Sequence, residues 1–337
     1  MANRDFDADK LLNFLVKSTR VVGRARRRSK QLQRHSDTYY EDIKESLIDL
    51  ITRKFNVACE IHFYGSRTMG MGNHKSDLDI YVELDDDFYQ GTSLGFQQQV
   101  MRYVSGAFRK WHQDFNLQKI PLYSCTVPII YCFYRPKRLR TDLTFTDGLG
   151  VKNCEILRHL FSIQPEALNF FHFIRIWFSI AEMRFKNYLT LMLVLFFLQV
   201  KRFMPSIRRV QKGVRVDRIK GWNVQYNPDR NLSDYGCNKM NFFKDHLVDF
   251  FNFYASFNFA RYVIIPHLGK AVLRENYETT VSHYPGDVSK FRLEKPMVVT
   301  SALTNDYNVT YNVGAARVRN FLQLCRFSEG LVENNLC

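Results

Sequence analysis

Apolar and polar residues alternate with a period of two in several short stretches of the first half of the chain. In IHFYGS, Ile61 and Phe63 share one face of a predicted strand at 59–64 that runs into a glycine turn, with Ser66 at the start of a helix. Four more runs read as strands: DLDIYV within 77–84, and the stretches 115–125, 127–134 (VPIIYCFY) and 140–146. The last two flank the turn RPKRLR and form a hairpin. A helix is predicted over about 95–112, and two more over 5–56, one carrying Leu11, Phe14, Leu15 and Val21, the other Tyr39, Tyr40, Ile43, Leu47 and Ile51. From Gly148 the period changes. GLGVKNCEILRHL, PEALNFFHFIRIWFSIAEMRF and YLTLMLVLFFLQVKRFMP have helical apolar spacing, each followed by turn or breaker residues. The expectation is an α+β protein: a small mixed sheet with flanking helices, then a mainly helical domain.

Composition narrows the class. With 46% hydrophobic and 15% aromatic residues in 337 positions, there is material for more than one core. The formal charge of +15 favours an anionic partner, for which nucleic acid is the usual candidate. Seven scattered cysteines without a CxxC pair fit reduced thiols, not a disulfide framework or a zinc site. The start, MANRDFDADK, is too charged for a signal peptide, and the longest apolar run, Leu189–Val200, falls short of the ~20 residues of a membrane helix. A soluble, intracellular protein is expected, cytoplasmic in preference to nuclear, with no membrane contact.

The candidate chemistry sits between Phe63 and Val82. Asp77 and Asp79 are two apart in an apolar run, so a strand turns both to one face while Leu78 and Ile80 take the other. Two such carboxylates repel and lose solvation unless a cation sits between them, and hard divalent ions take these ligands together with phosphate oxygens. Gly65 and Ser66 would offer backbone N–H groups and a hydroxyl to phosphates. A lone DLD commonly ends an exposed strand. The later strand RTDLTF supplies a third acid, Asp142, and three acids beside a glycine-serine turn make a nucleoside-triphosphate site with two metal ions.

These motifs, GS, DLD and TDLTF, resemble the DNA polymerase β-like nucleotidyltransferases and, within them, the template-independent RNA terminal transferases, the minimal poly(A) and poly(U) polymerases, terminal uridylyltransferases among them. The resemblance covers roughly residues 35–328. It implies a polymerase β-like catalytic domain at 36–147 and a poly(A) polymerase-type helical domain at 148–337, with a cleft between them and an N-terminal helix (1–35) packed on the helical domain. It implies two Mg²⁺ (or Mn²⁺) ions on Asp77, Asp79 and Asp142, an NTP substrate (UTP or ATP) and an RNA 3′ end as acceptor. LGVKN puts a ribose contact on Asn153. The helix that usually carries two lysines toward the triphosphate has Arg175 and Ser179 here. Asn187 and Tyr188 stand for the usual serine-tyrosine pair, Tyr188 as the stacking platform. TNDYNVTYNVG (304–314) resembles the nucleotide-recognition loop, with Tyr311 where uridine-selective relatives have histidine, so base choice stays open. Two other functions share these motifs: a catalytically silent RNA-binding or dimerisation partner, and a primer-independent nucleotide second-messenger synthase.

Basic runs are less specific, because charge runs are commonly solvated faces. GRARRRSK (Gly23–Lys30) is placed between the first two helices, as a surface run, an RNA contact or a nuclear-import signal. Arg135, Lys137 and Arg138 lie in the hairpin turn, and Arg208 and Arg209 in the turn-rich stretch 200–240. There cations followed by Trp222 would suit a single-stranded RNA path.

Overall fold

The computed structural model describes residues 6–34, 40–119, 127–288 and 291–336. The chain divides into two compact units, one of 27–158 with 215–225, the other of 1–26, 159–214 and 226–337.

The first unit is built on a five-stranded mixed sheet. Its strands are β1 (Cys59–Tyr64), β2 (Leu78–Leu84), β3 (Phe115–Leu117), β4 (Ile129–Tyr134) and β5 (Leu139–Thr144), in the order β1-β2-β5-β4-β3. Only the β2–β5 pair is parallel; the others are antiparallel. One face of the sheet is covered by helices α2 (Glu41–Phe55) and α3 (Leu94–Lys110). Leu78, Ile80, Val82 and Leu84 of β2 point into that core with Ile43, Leu47, Val100, Val104 and Phe108. Because strand side chains alternate, burying this even-numbered set commits Asp79, Tyr81 and Glu83 to the opposite face. The expected hairpin is β4–β5. The strand expected at 115–125 is present as β3, and residues 120–126 lie outside the described residues.

Helix α1 (Ala8–Arg34) runs through GRARRRSK, which is therefore helical and not a link between two helices. Arginine and lysine are good helix formers, and the buried positions Val22 and Ser29 keep the period across the run. Tyr39, placed in the second helix from sequence, lies outside the described residues. Ser66 does not begin a helix: residues 66–70 form hydrogen-bonded turns, with Met69 N donating to Gly65 O and Met71 N to Ser66 O. Gly70, at φ +71°, interrupts any helical continuation.

The second unit is a helical bundle. The helices α4 (Leu149–Ile163, which begins in the first unit), α5 (Pro165–Ile180), α6 (Asn187–Val200), α8 (Leu247–Ala255) and α10 (Ala315–Leu336) supply most of it. The run Leu189–Gln199 of α6 is buried on every side, which explains its lack of amphipathic period. Trp177 Nε1 donates to Ser328 Oγ (2.8 Å), and Tyr254 Oη to Leu193 O (2.6 Å), so the polar tips of these buried aromatics are satisfied. Within 200–240, α7 (Ile207–Val210) and the two-residue strands β6 (Arg218–Ile219) and β7 (Trp222–Asn223) replace a plain surface connection. Trp222, which belongs to the first unit, is buried, so it offers no open stacking surface. Strands β8 (Tyr262–Ile265) and β9 (Lys270–Leu273) and the short helix α9 (Tyr277–Val281) precede the 304–314 loop. Cys59, Cys132, Cys154, Cys237 and Cys325 are free thiols; Cys125 and Cys337 lie outside the described residues. Among the described residues no helix is long and apolar enough to cross a membrane.

Candidate active site

The three aspartates come together on the face of the sheet opposite α2 and α3. Asp79 on β2 is the register partner of Asp142 on the parallel strand β5 and of Tyr64 on β1. Asp77 sits one residue ahead of β2, next to Arg140 of β5, whose Nε lies 2.7 Å from Asp77 Oδ1. That oxygen is nevertheless shielded from solvent and receives no directed hydrogen bond. Burial, the Asp142 and Asp77 charges together push Asp79 up to about 7, against a smaller downward pull from Arg67. Asp142 rises to about 6 through burial and the Asp77 charge, offset by Arg140 and Lys119. Two carboxylates whose ionisation is opposed by burial and by neighbouring carboxylate charge, with a third beside them that a single arginine balances, fit a divalent cation with oxygen ligands.

Gly65 has a direct steric role. At φ +82°, a Cβ on it would come within 1.8 Å of Asp79 Oδ2. Glycine is thus required both by the backbone and by the carboxylate lying over it. Gly65 N donates to Cys154 Sγ (3.3 Å), which fixes the first turns of α4 against the glycine turn. Asn153 is next to that cysteine, half-buried on α4. Ser66, also half-buried, follows Gly65 in the turn.

Arg67 is a residue the sequence reading passed over. Only 4% exposed, it donates from Nε to Ser76 O (2.7 Å), from Nη2 to His74 O (3.4 Å) and from Nη1 to Tyr40 Oη (3.1 Å). It thereby clamps the segment that delivers Asp77 while its charge favours ionised Asp79. Arg140 does similar service by donating to Lys75 O (2.7 Å). Both have a sequence signal: a cation directly after GS, and one two residues before the third aspartate.

The remaining candidates occupy the other unit, or the hairpin turn. Arg175 lies on α5 with its guanidinium over the Phe171 ring and Nη2 3.2 Å from His172 Nδ1; burial lowers it to about 10. Ser179, one turn on, is exposed. Asn187 is the exposed first residue of α6. Tyr188 Oη pairs with Ser301 Oγ (2.9 Å) and accepts from Ala302 N (3.2 Å), which immobilises its half-buried ring. In the 304–314 loop Thr310 Oγ1 donates to Met297 O (2.6 Å) and Asn308 Oδ1 accepts from Thr310 N (2.9 Å). These anchors leave Tyr307 and Tyr311 47% and 48% exposed. In the hairpin turn Lys137 pairs with Asp42 (2.5 Å), Arg135 Nη1 donates to Gln113 O (3.0 Å), and Arg138 takes a left-handed φ of +48°. Arg208 and Arg209 are exposed on α7. The structure thus gathers Asp77, Asp79, Asp142 and Gly65, with Ser66 and Asn153 alongside, in one unit. Arg175, Ser179, Asn187, Tyr188, Tyr311, Arg208 and Arg209 belong to the other.

Residues 24–162 match the family model described as poly(A) RNA polymerase, mitochondrial-like, central palm domain. Terminal uridylyltransferase 7 of Homo sapiens is 22% identical over 201 residues, 56% of this chain. Speckle targeted PIP5K1A-regulated poly(A) polymerase of Xenopus tropicalis is 23% identical over 275 residues, 76% of this chain. Among solved structures, mtPAP in complex with ATPγS superimposes with a TM-score of 0.75 at 15% identity, covering 98% of this chain and 71% of that one. In fold the chain is like mtPAP, and in sequence it is similar to the poly(A) polymerase palm domain and to a terminal uridylyltransferase. The chain spans 13% and 31% of the length of the two relatives described.

Two outcomes follow from the site. Gly65→Ala should fold but displace the Asp79 carboxylate and abolish the thermal stabilisation given by Mg²⁺; an unchanged Mg²⁺ shift in a melting curve contradicts the cradle. Folded Asp79 and Asp142 hold protons at pH values where the unfolded chain, with carboxyls near 3.8, has lost them. Without divalent ions, stability therefore falls as pH rises from about 4 to about 7. Melting in EDTA across that range should show the fall, Asp79→Asn should flatten it, and Mg²⁺ should stabilise the wild type most at the alkaline end. A wild-type profile that is flat or rises in EDTA contradicts the clustered charges.

Proposed function

We propose that this chain adds ribonucleotides, UMP or AMP, from nucleoside triphosphates to RNA 3′ ends without a template, releasing pyrophosphate. The observation that carries the reading is the cross-strand juxtaposition of Asp79 and Asp142, with Asp77 beside them and Gly65 making room. Asp77, Asp79 and Asp142 would hold Mg²⁺ (or Mn²⁺), two ions, which supply Lewis-acid stabilisation of the entering 3′-oxygen and the departing phosphate. Arg67 and Arg140 position the segment 74–77, so the carboxylates meet the cation with little reorganisation. Gly65 and Ser66 orient the triphosphate, Asn153 the ribose 2′-hydroxyl, and Tyr188, its hydroxyl tethered, offers a fixed ring to the base. Arg175 and Asn187 would bind phosphate oxygens. Tyr311 would read the base edge from a loop held by Asn308 and Thr310.

A second reading, a catalytically silent partner of the same fold, is favoured by one observation. Arg175 is engaged with Phe171 and His172, and Ser179 supplies no charge, so in this reading a triphosphate would be held weakly.

Extension of a labelled RNA oligonucleotide with Mg²⁺ and each of four triphosphates in turn separates the readings. The wild type should extend with UTP or ATP, and an Asp77→Ala, Asp79→Ala double mutant should stay folded and inactive. Extension by the mutant, or none by the wild type with any triphosphate, overturns the proposal; product from triphosphates without RNA indicates a second-messenger synthase.

A further inference from the structure

We propose that the outward face of α1 is a phosphate-binding ridge that holds single-stranded RNA; the proposal rests on RNA being the acceptor. Lys17, Arg20, Arg24, Arg27, Arg28 and Arg34 are all exposed. At α-helical spacing they fall within an arc of about 120° over a length of about 25 Å. The opposite side of the same helix is the buried one, with Leu11, Phe14, Leu15, Ser18, Val22 and Ser29. From Lys17 to Arg34 the helix contains no acidic residue. Among the described residues none of the six cations forms an ion pair. Arg26, by contrast, turns aside and donates to Asn169 Oδ1 (3.2 Å). The run RARRR is therefore divided between one structural arginine and an outward set.

A helix needs neither six cations on one side nor the absence of acids to be soluble, and mixed charges with i,i+4 pairs are more stabilising. Like charges so arranged cost stability that a polyanion recovers by releasing its counterions. The C-terminal part of the ridge, from Arg27 on, belongs to the unit bearing the aspartates. Ser29 Oγ donates to Gly72 O, in the loop between the glycine turn and Asp77. A Cβ on Gly70, in the same loop, would meet Gln33 Oε1 at 2.9 Å. An anionic membrane surface is the poorer occupant, because the apolar side of α1 is already used in packing and cannot enter a bilayer interface.

The test is binding of a fluorescein-labelled single-stranded RNA to the full chain in EDTA, where no extension occurs, as a function of salt. Arg20→Gln, Arg24→Gln, Arg27→Gln together should raise Kd at least about tenfold and reduce the slope of log K against log salt by about 2. The matched triple variant Arg20→Lys, Arg24→Lys, Arg27→Lys should bind as the wild type does. Arg102→Gln, Arg109→Gln, Lys110→Gln on α3, an equal change in net charge, should leave Kd within about twofold, and far-UV spectra should show equal helicity throughout. Unchanged RNA binding in the α1 glutamine variant, or equal losses in the α1 and α3 variants, overturns the ridge. So does loss of phosphatidylserine-vesicle binding with RNA affinity intact. A chain that binds RNA through α1 yet extends none would contradict the proposed reaction and leave the ridge standing.

Discussion

Mutual repulsion among three carboxylates on a sheet face is the constraint around which the first unit is arranged. Alternation along β2 gives the protein no freedom in the matter: the core takes Leu78, Ile80, Val82 and Leu84, and Asp79 must face the other way. The parallel register with β5 then sets Asp142 directly beside it. Neither acid can move without slipping a strand and turning its apolar set out of the core. The raised carboxyls, to about 7 and about 6, show how unwelcome the negative charges are when no cation joins them.

Several other features follow as accommodations. Gly65 is the residue that lets a carboxylate lie against the backbone, and Cys154 secures the glycine turn from the α4 side. Arg67 and Arg140 hold carbonyls of the 74–76 segment, so their charges lie near the aspartates while their hydrogen bonds fix the backbone. Under the proposed function this arrangement would be a preorganised site, its cost accepted in the fold so that a cation and a triphosphate would need little rearrangement.

The aspartates were readable from sequence because their signal is local. Two acids at strand spacing and a third in a hairpin strand need only the period of two and the turn between β4 and β5. The mixed sheet and the helical second half were readable for the same reason, from a change in apolar period near Gly148. What was not readable depends on contacts distant in the chain. Arg67 meets Tyr40, and Trp222 folds into a core, although each lies in a stretch of surface-like composition. GRARRRSK reads as a link because its charge density masks the helical positions of Val22 and Ser29. A strand running into a glycine turn points to a helix start at Ser66, whereas Gly70 and a buried arginine turn the chain instead.

The most direct test of the account is the titration of the side-chain carboxyls by ¹³C NMR in the protein freed of divalent ions. The account predicts that Asp79 and Asp142 titrate near 7 and 6, and that both signals lose their dependence on pH in this range once Mg²⁺ is added. If both instead titrate near the ordinary 3.8 and ignore Mg²⁺, the carboxylates do not share a site and the account is contradicted.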